Sequence, residues 1–92
     1  MLPQRFELVD WAFNAEIPGL TKHSEHNARR VLLLMAVRMN RNSQEIGITP
    51  ATIQRLLNMK QRTVYRSLER LENAGLISSM LSYSKVRWMV NF

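Results

Sequence analysis

The 92-residue chain contains no cysteine, so disulfides and thiolate metal sites are excluded. Histidine is nearly as scarce. Only His23 and His26 are present, and no cluster of carboxylates accompanies them, so no metal site is expected. No apolar run approaches the roughly 20 residues that span a bilayer. The first residues lack the basic start, apolar segment and small-residue cleavage site of a secretory signal. These absences lead us to expect an intracellular, cytoplasmic protein with no membrane partner. There is also no glycine-rich phosphate loop and no His-Glu-x-x-His pair. Ser24, Asp10 and the histidines stand at no spacing that assembles a triad. Neither catalysis nor a cofactor is expected.

Acidic side chains are sparse in one part of the chain only. Residues 1–27 carry Arg5 and Lys22 against Glu7, Asp10, Glu16 and Glu25, a net charge of −2. Residues 28–92 carry eleven basic residues against Glu45, Glu69 and Glu72, a net of +8. A basic half of this kind attracts polyanions. The length corresponds to one domain or a part of one. Such a chain buries only about 60–65% of its unfolded surface, so the core is modest and a dimer contact would matter.

Proline and glycine, three of each, mark several of the joints. Pro18-Gly19 breaks a short helix expected over residues 5–15, with Phe6, Val9, Trp11, Ala12 and Phe13 as its apolar members. Thr21 then caps a helix over about residues 22–39, its hydroxyl accepting from an orphan amide of the first turn. It makes no capping box, because Ser24 lies three residues on, but Glu25 is close enough to the start to interact favourably with the helix dipole. Val31, Leu34, Met35 and Val37, with Ala28 and Met39, cover more than half the circumference and mark this helix as the central one. Residues 40–45 (NRNSQE) read as a loop. Ile46-Gly47-Ile48 is too short to be a strand alone but is suited to pairing at a sheet edge.

Thr49-Pro50 is a strong helix start, since proline at the first helical position gives up an amide that had no partner. Ile53, Leu56 and Leu57 supply one buried face of a helix over residues 50–57. After residues 58–60 a new period begins, with Val64, Leu68 and Leu71 turned inward on a helix over about residues 61–73 that closes at Gly75. Met59 can pack on Val64 as a hydrophobic staple, which makes Lys60 the cap. Lysine caps poorly, and the amides it leaves open can be met by water or by a phosphate oxygen. Beyond Gly75 the period changes to two. Val86, Trp88, Val90 and Phe92 alternate with Lys85, Arg87, Met89 and Asn91, opposite a strand over residues 76–82. The expectation is a hairpin covered on one face, turning at Ser82-Tyr83-Ser84. Because the strand pattern runs to Phe92, more chain is expected beyond it.

Three helices, a short turn between the last two and a hairpin make a mainly α protein with a small β-hairpin, an α+β winged helix-turn-helix. That motif places its later helix in the DNA major groove. Gln61, Arg62, Thr63, Tyr65 and Arg66 face away from the apolar seam near the end that would enter the groove. Arginine can hold guanine O6 and N7 together, and glutamine adenine N6 and N7. Thr63 and Tyr65 suit a phosphate or a thymine methyl. Arg55, Lys60, Arg70, Lys85 and Arg87 are candidates for phosphate contacts that set position rather than read sequence. The competing explanation is a solvated face on which Arg66, Glu69 and Arg70 neutralise one another. Trp11 and Trp88 read as core or interface filler.

The stretch ITPATIQRLLNMKQRTVYRSLERLENAGLI resembles the core of the winged helix-turn-helix superfamily. Its landmarks are Ile53, Leu56, Leu57, Met59, the run Arg62-Thr63-Val64-Tyr65-Arg66, Leu68, Leu71, Gly75, Leu76 and Ile77, and the likeness covers residues 48–92. In such families the counterparts of Arg62, Thr63, Tyr65 and Arg66 commonly face DNA, and the wing touches the minor groove or a phosphate. With the apolar helix that ends in VRMNRN, the order also resembles DNA-binding modules of phage and plasmid replication proteins and MarR-like regulators. Two departures stand out: Lys60 where a serine or threonine cap is usual, and a short SYS wing turn with little basic reach. The resemblance therefore implies a wing that mainly touches phosphate.

The expectation is thus a winged helix domain over residues 22–92. Residues 1–21 form an extension that packs on the core or on a partner. The domain would bind double-stranded DNA, in transcription regulation or as the origin-binding module of a replication protein, with Trp11 and Phe13 as the place to look for a homodimer contact. The rival expectation is a winged helix kept as a protein-interaction module in a larger assembly, exposing apolar or aromatic groups near Tyr65, Tyr83 and Met89. RNA or unusual DNA, met by Tyr65 and Trp88, is a third.

Overall fold

The computed structural model describes residues 5–18, 21–39, 46, 48–82 and 85–92, with the backbone alone at 5, 81, 82 and 85. In chain order its elements are α1 (Arg5–Asn14), α2 (Lys22–Arg38), α3 (Pro50–Leu57), α4 (Gln61–Asn73), β1 (Ile77–Ser82) and β2 (Lys85–Val90). The described chain is mainly helical, with one small antiparallel two-stranded sheet. No helix among the described residues is long and apolar enough to cross a membrane. The expected loop at residues 40–45, Gly19 and the hairpin residue Tyr83 lie outside the described residues.

Helix α2 is central, packing against α1, α3 and α4. Its start is capped by Thr21, whose Oγ1 accepts the Ser24 amide at 3.1 Å. Ala28, Val31, Leu32, Met35 and Ala36 are buried along it, and Met39 continues the same stripe. This corrects the expected inner face. Leu32 and Ala36 point inward, whereas Leu34 is only partly buried and Val37 is 39% exposed. Leu32, Leu33 and Leu34 are consecutive, so periodicity alone cannot phase the stripe; the packing of α1 and α4 does. The expected face of α1 also changes. Leu8 and Ala12 dock on the core together with Ile17, while Phe6 and Phe13 are 67% and 64% exposed. Residues 5–17 therefore pack on the chain's own core.

Two arginines of α2 hold the neighbouring helices by their ends. Arg29 donates from Nη1 to the carbonyls of Ala12 (2.9 Å) and Phe13 (2.7 Å), and from Nη2 to that of Ala15 (2.8 Å). It also pairs with Glu25 at 3.2 Å. Arg30 donates to the Leu57 carbonyl at 3.0 Å. The last carbonyls of a helix have no partner within it, and the guanidinium fork supplies several donors at once.

Helix α3 is capped by Thr49, which accepts the Thr52 amide at 3.3 Å, with Pro50 in the first turn. Ile53 is buried and Leu57 partly so, but Leu56 is 46% exposed, against expectation. In so short a helix the i, i+4 pair forms the seam, and Leu56 falls outside it. The chain leaves α3 through Asn58 in the left-handed region (φ 52°), and Met59 donates to Gln54 O at 3.0 Å. Helix α4 then buries Val64, Leu68 and Leu71 as expected, and also Ser67. It ends in a Schellman arrangement. Gly75 (φ 77°) donates to Glu72 O and Leu76 to Leu71 O, both at 3.0 Å.

The hairpin pairs Ile77 with Val90 at its base and Ser82 with Lys85 at its far end. Ser82 thus belongs to β1 rather than to the turn. Only the base of the expected inner face is covered. Ile77 and Val90 are buried and Trp88 partly so, whereas Val86 is 57% and Phe92 46% exposed. Val86 lies opposite Leu81, towards the far end of the hairpin and away from the buried Ile77–Val90 pair. Phe92 instead meets the edge of Trp11 on α1, with ring centroids 5.7 Å apart. Ile46 donates to Trp88 O at 2.9 Å and bridges Met39, so this residue of the segment expected at a sheet edge bonds to β2.

Candidate nucleic-acid interface

With Val64, Ser67, Leu68 and Leu71 turned inward, helical spacing decides what α4 presents. Gln61, Arg62, Tyr65, Arg66 and Glu69 are exposed, and Thr63 and Arg70 lie partly buried on a flank. Tyr65 is half exposed. The structure thus brings Gln61, Arg62, Tyr65 and Arg66 together on one open side, while Thr63 sits towards α2.

The electrostatics of this side differ from those of a self-neutralised surface. Arg62, Arg66 and Arg70 make no hydrogen bond or ion pair among the described residues, Glu69 included. An exposed pair of this kind is worth only about 0–1 kcal/mol, so leaving it unmade costs little and keeps the charge available. Arg29 and Arg30, by contrast, are committed to helix ends. The first turn of α4 adds to the positive character. Lys60 is the cap residue, makes no side-chain bond to the turn, and no acidic residue follows in that turn. Lys60, at the end of the turn over residues 58–60, and Arg55, in the last turn of α3, are both exposed.

The hairpin is fixed to the other end of α4. Glu72 accepts the Ser79 amide at 3.1 Å and the Ser79 hydroxyl. Asn91 donates to Gly75 O at 3.0 Å and Asn91 N to Leu76 O at 2.9 Å. Arg87 is exposed opposite Met80 and is engaged within the protein. Lys85 is placed by its backbone at the far end of the hairpin, opposite Ser82, and its side chain lies outside the described set. The two hairpin bases are therefore well separated along the chain from the first turn of α4.

Periodicity could not show the other flank of α4. Thr63, Arg66, Ser67 and Arg70 line a cleft of about 390 Å³ with His23, Ser24 and Asn27 of α2. The two sides are some forty positions apart in sequence and meet only because α2 packs on α4. The one available signal was the spacing of Ser67 from Val64, which places Ser67 inward.

Elsewhere, Leu33, Leu34, Val37 and Leu57 line an open apolar groove with the stem of Arg30. Compared with models of protein families, with curated proteins and with solved structures, the chain matches none of them.

Proposed function

We propose that this chain is a winged helix-turn-helix domain that binds double-stranded DNA by laying α4 in the major groove. The observation that carries this reading is the open face of α4, where Arg62 and Arg66 have no partner among the described residues and stand beside Gln61 and Tyr65. The order of α2, α3, a tight turn at residues 58–60, α4 and a hairpin supports it. So does the uncapped start of α4, since a helix N-terminus favours an anion.

In this arrangement Arg62 and Gln61 read base edges, with Arg66 at the border between base and backbone. Tyr65 and the half-buried Thr63 contact a thymine methyl or a phosphate. Arg55, Lys60 and Arg70 position the duplex, and the hairpin serves as a wing whose Lys85 and Arg87 meet the backbone. Such a domain serves a transcriptional regulator or the origin-binding part of a replication protein, inside the cell. The exposed Phe6 and Phe13, seven residues apart on α1, offer a face for a homodimer. The same residues favour the second reading, a protein-interaction module without sequence-specific DNA binding.

Anisotropy binding to a randomised duplex pool, titrated with salt and followed by sequencing of the bound fraction, tests the proposal. A steep salt slope with an enriched motif is expected, and a palindromic motif would indicate a dimer. Absence of binding at low salt would refute the DNA reading and favour the interaction module.

A further inference from the structure

The cleft between α2 and α4 has the chemistry of an anion site. Seven residues line it: His23, Ser24 and Asn27 from α2, and Thr63, Arg66, Ser67 and Arg70 from α4. No carboxylate lines it. Glu25, the acidic residue in the first turn of α2, is held by Arg29 and lines a different cavity. Arg66 and Arg70, at i and i+4, have no partner among the described residues. Ser67 gives an independent indication. The residue is only 3% exposed and its side chain makes no hydrogen bond among the described residues; because no buried side-chain polar atom there lacks a partner, its hydroxyl is open to solvent rather than sealed in the core. Ser67 lines this cleft, so a ligand there can supply the missing partner.

We infer that the cleft binds one tetrahedral oxyanion, a phosphate. Donors come from the floor at Ser67, from the guanidiniums of Arg66 and Arg70 on one wall, and from Asn27 and His23 on the other. That spread suits a tetrahedral anion better than a planar carboxylate, and charge-assisted bonds from arginine are the strong ones. As to the source, the inference rests on the DNA reading. The cleft opens beside the exposed face of α4, so a duplex lying along that face would set a backbone phosphate of one strand into it. Arg66 and Arg70 then hold the backbone, and base reading falls to Gln61 and Arg62.

The test uses the whole chain, Arg70→Gln and Asn27→Asp, the latter placing a carboxylate in the cleft. Neither parent side chain has a protein partner among the described residues, so both variants should melt as wild type does. One arm titrates inorganic phosphate and follows the arginine Nε–H and the residue 22–27 amide signals by NMR. The other measures salt-dependent affinity for a duplex carrying a single neutral methylphosphonate, moved along the backbone. Wild type should show phosphate-dependent shifts at Arg66 and Arg70 that both variants lose. Arg70→Gln should bind all duplexes about tenfold more weakly, as expected for a lost bond to a charged group. Its salt slope should be lower by about 0.9, with the same preferred motif. One methylphosphonate position should reproduce that loss in wild type and add nothing in the variant.

Duplex binding and phosphate response unchanged in both variants would overturn the cleft while leaving the DNA reading intact. Phosphate shifts lost in the variants, from a wild type that binds no duplex, would overturn the backbone source. They would uphold a site for a free phosphorylated ligand.

Discussion

Lys60→Ser should stabilise the protein while weakening its hold on DNA. Lys60 occupies the cap position of α4 with φ −72° and ψ 151°, and it makes no side-chain bond to the first turn. The same chain shows what a hydroxyl does at such a position. Thr21 (φ −142°, ψ 157°) and Thr49 (φ −94°, ψ 162°) each accept the amide three residues on, at 3.1 and 3.3 Å. The Lys60 backbone is already extended, so serine fits without rearrangement and its hydroxyl should meet the Thr63 amide. A proper cap is worth about 1 kcal/mol, with a range of roughly 0.5–2. Removing a positive charge from the positive end of the helix dipole adds about 0.3–1 kcal/mol. Lys60 lies outside the helix proper, so helix propensity does not enter. For a domain of this size about 1 kcal/mol raises Tm by roughly 4–8 °C. Parallel thermal and urea melts should show that gain with an unchanged denaturant slope, and duplex affinity should fall with a salt slope smaller by about one. A variant that melts at or below wild type would refute the reasoning, because the first-turn amides would then have to be satisfied already.

Arg62→Ala should leave the melting transition unchanged and relax preference at one base pair by about 1–3 kcal/mol, read from competition between matched and single-mismatch duplexes. Arg29→Ala removes three donated bonds to the end of α1. It should cost about 2 kcal/mol in urea unfolding, since bonds to a charged group are worth roughly 1.5–3 kcal/mol and this one is partly exposed. Leu68→Ala, at 1% exposure, should cost about 2–5 kcal/mol in the same assay. Gly75→Ala should cost about 1–2 kcal/mol from the positive φ alone, because a Cβ there meets nothing within 4 Å. A larger loss would show that crowding also matters.

Several features were legible because their causes are local. Thr21, Thr49-Pro50 and Gly75 mark helix ends through their own hydrogen bonds and dihedral preferences, and each end lies where they place it. The seam of α4 was equally readable, since Val64, Leu68 and Leu71 are its only large aliphatic residues. With that seam inward, Arg62 and Arg66 had to point out. Where apolar residues are plentiful the inference weakened. α2 offers leucine on several faces and α1 carries phenylalanine on its open side, so the pattern alone could not say which was covered.

The sequence by itself determined where the elements begin and end and which residues share a face, because helix and strand periods and caps act over a few neighbouring residues. The tertiary structure decided which faces are covered. It placed Leu8 and Leu32 inside, left Val86 and Phe6 exposed, and engaged Arg29 and Arg30 at the ends of other helices. It also set His23 and Asn27 across from Arg66 and Arg70. Burial and charge pairing depend on what another segment brings into contact, and a local pattern carries no record of that.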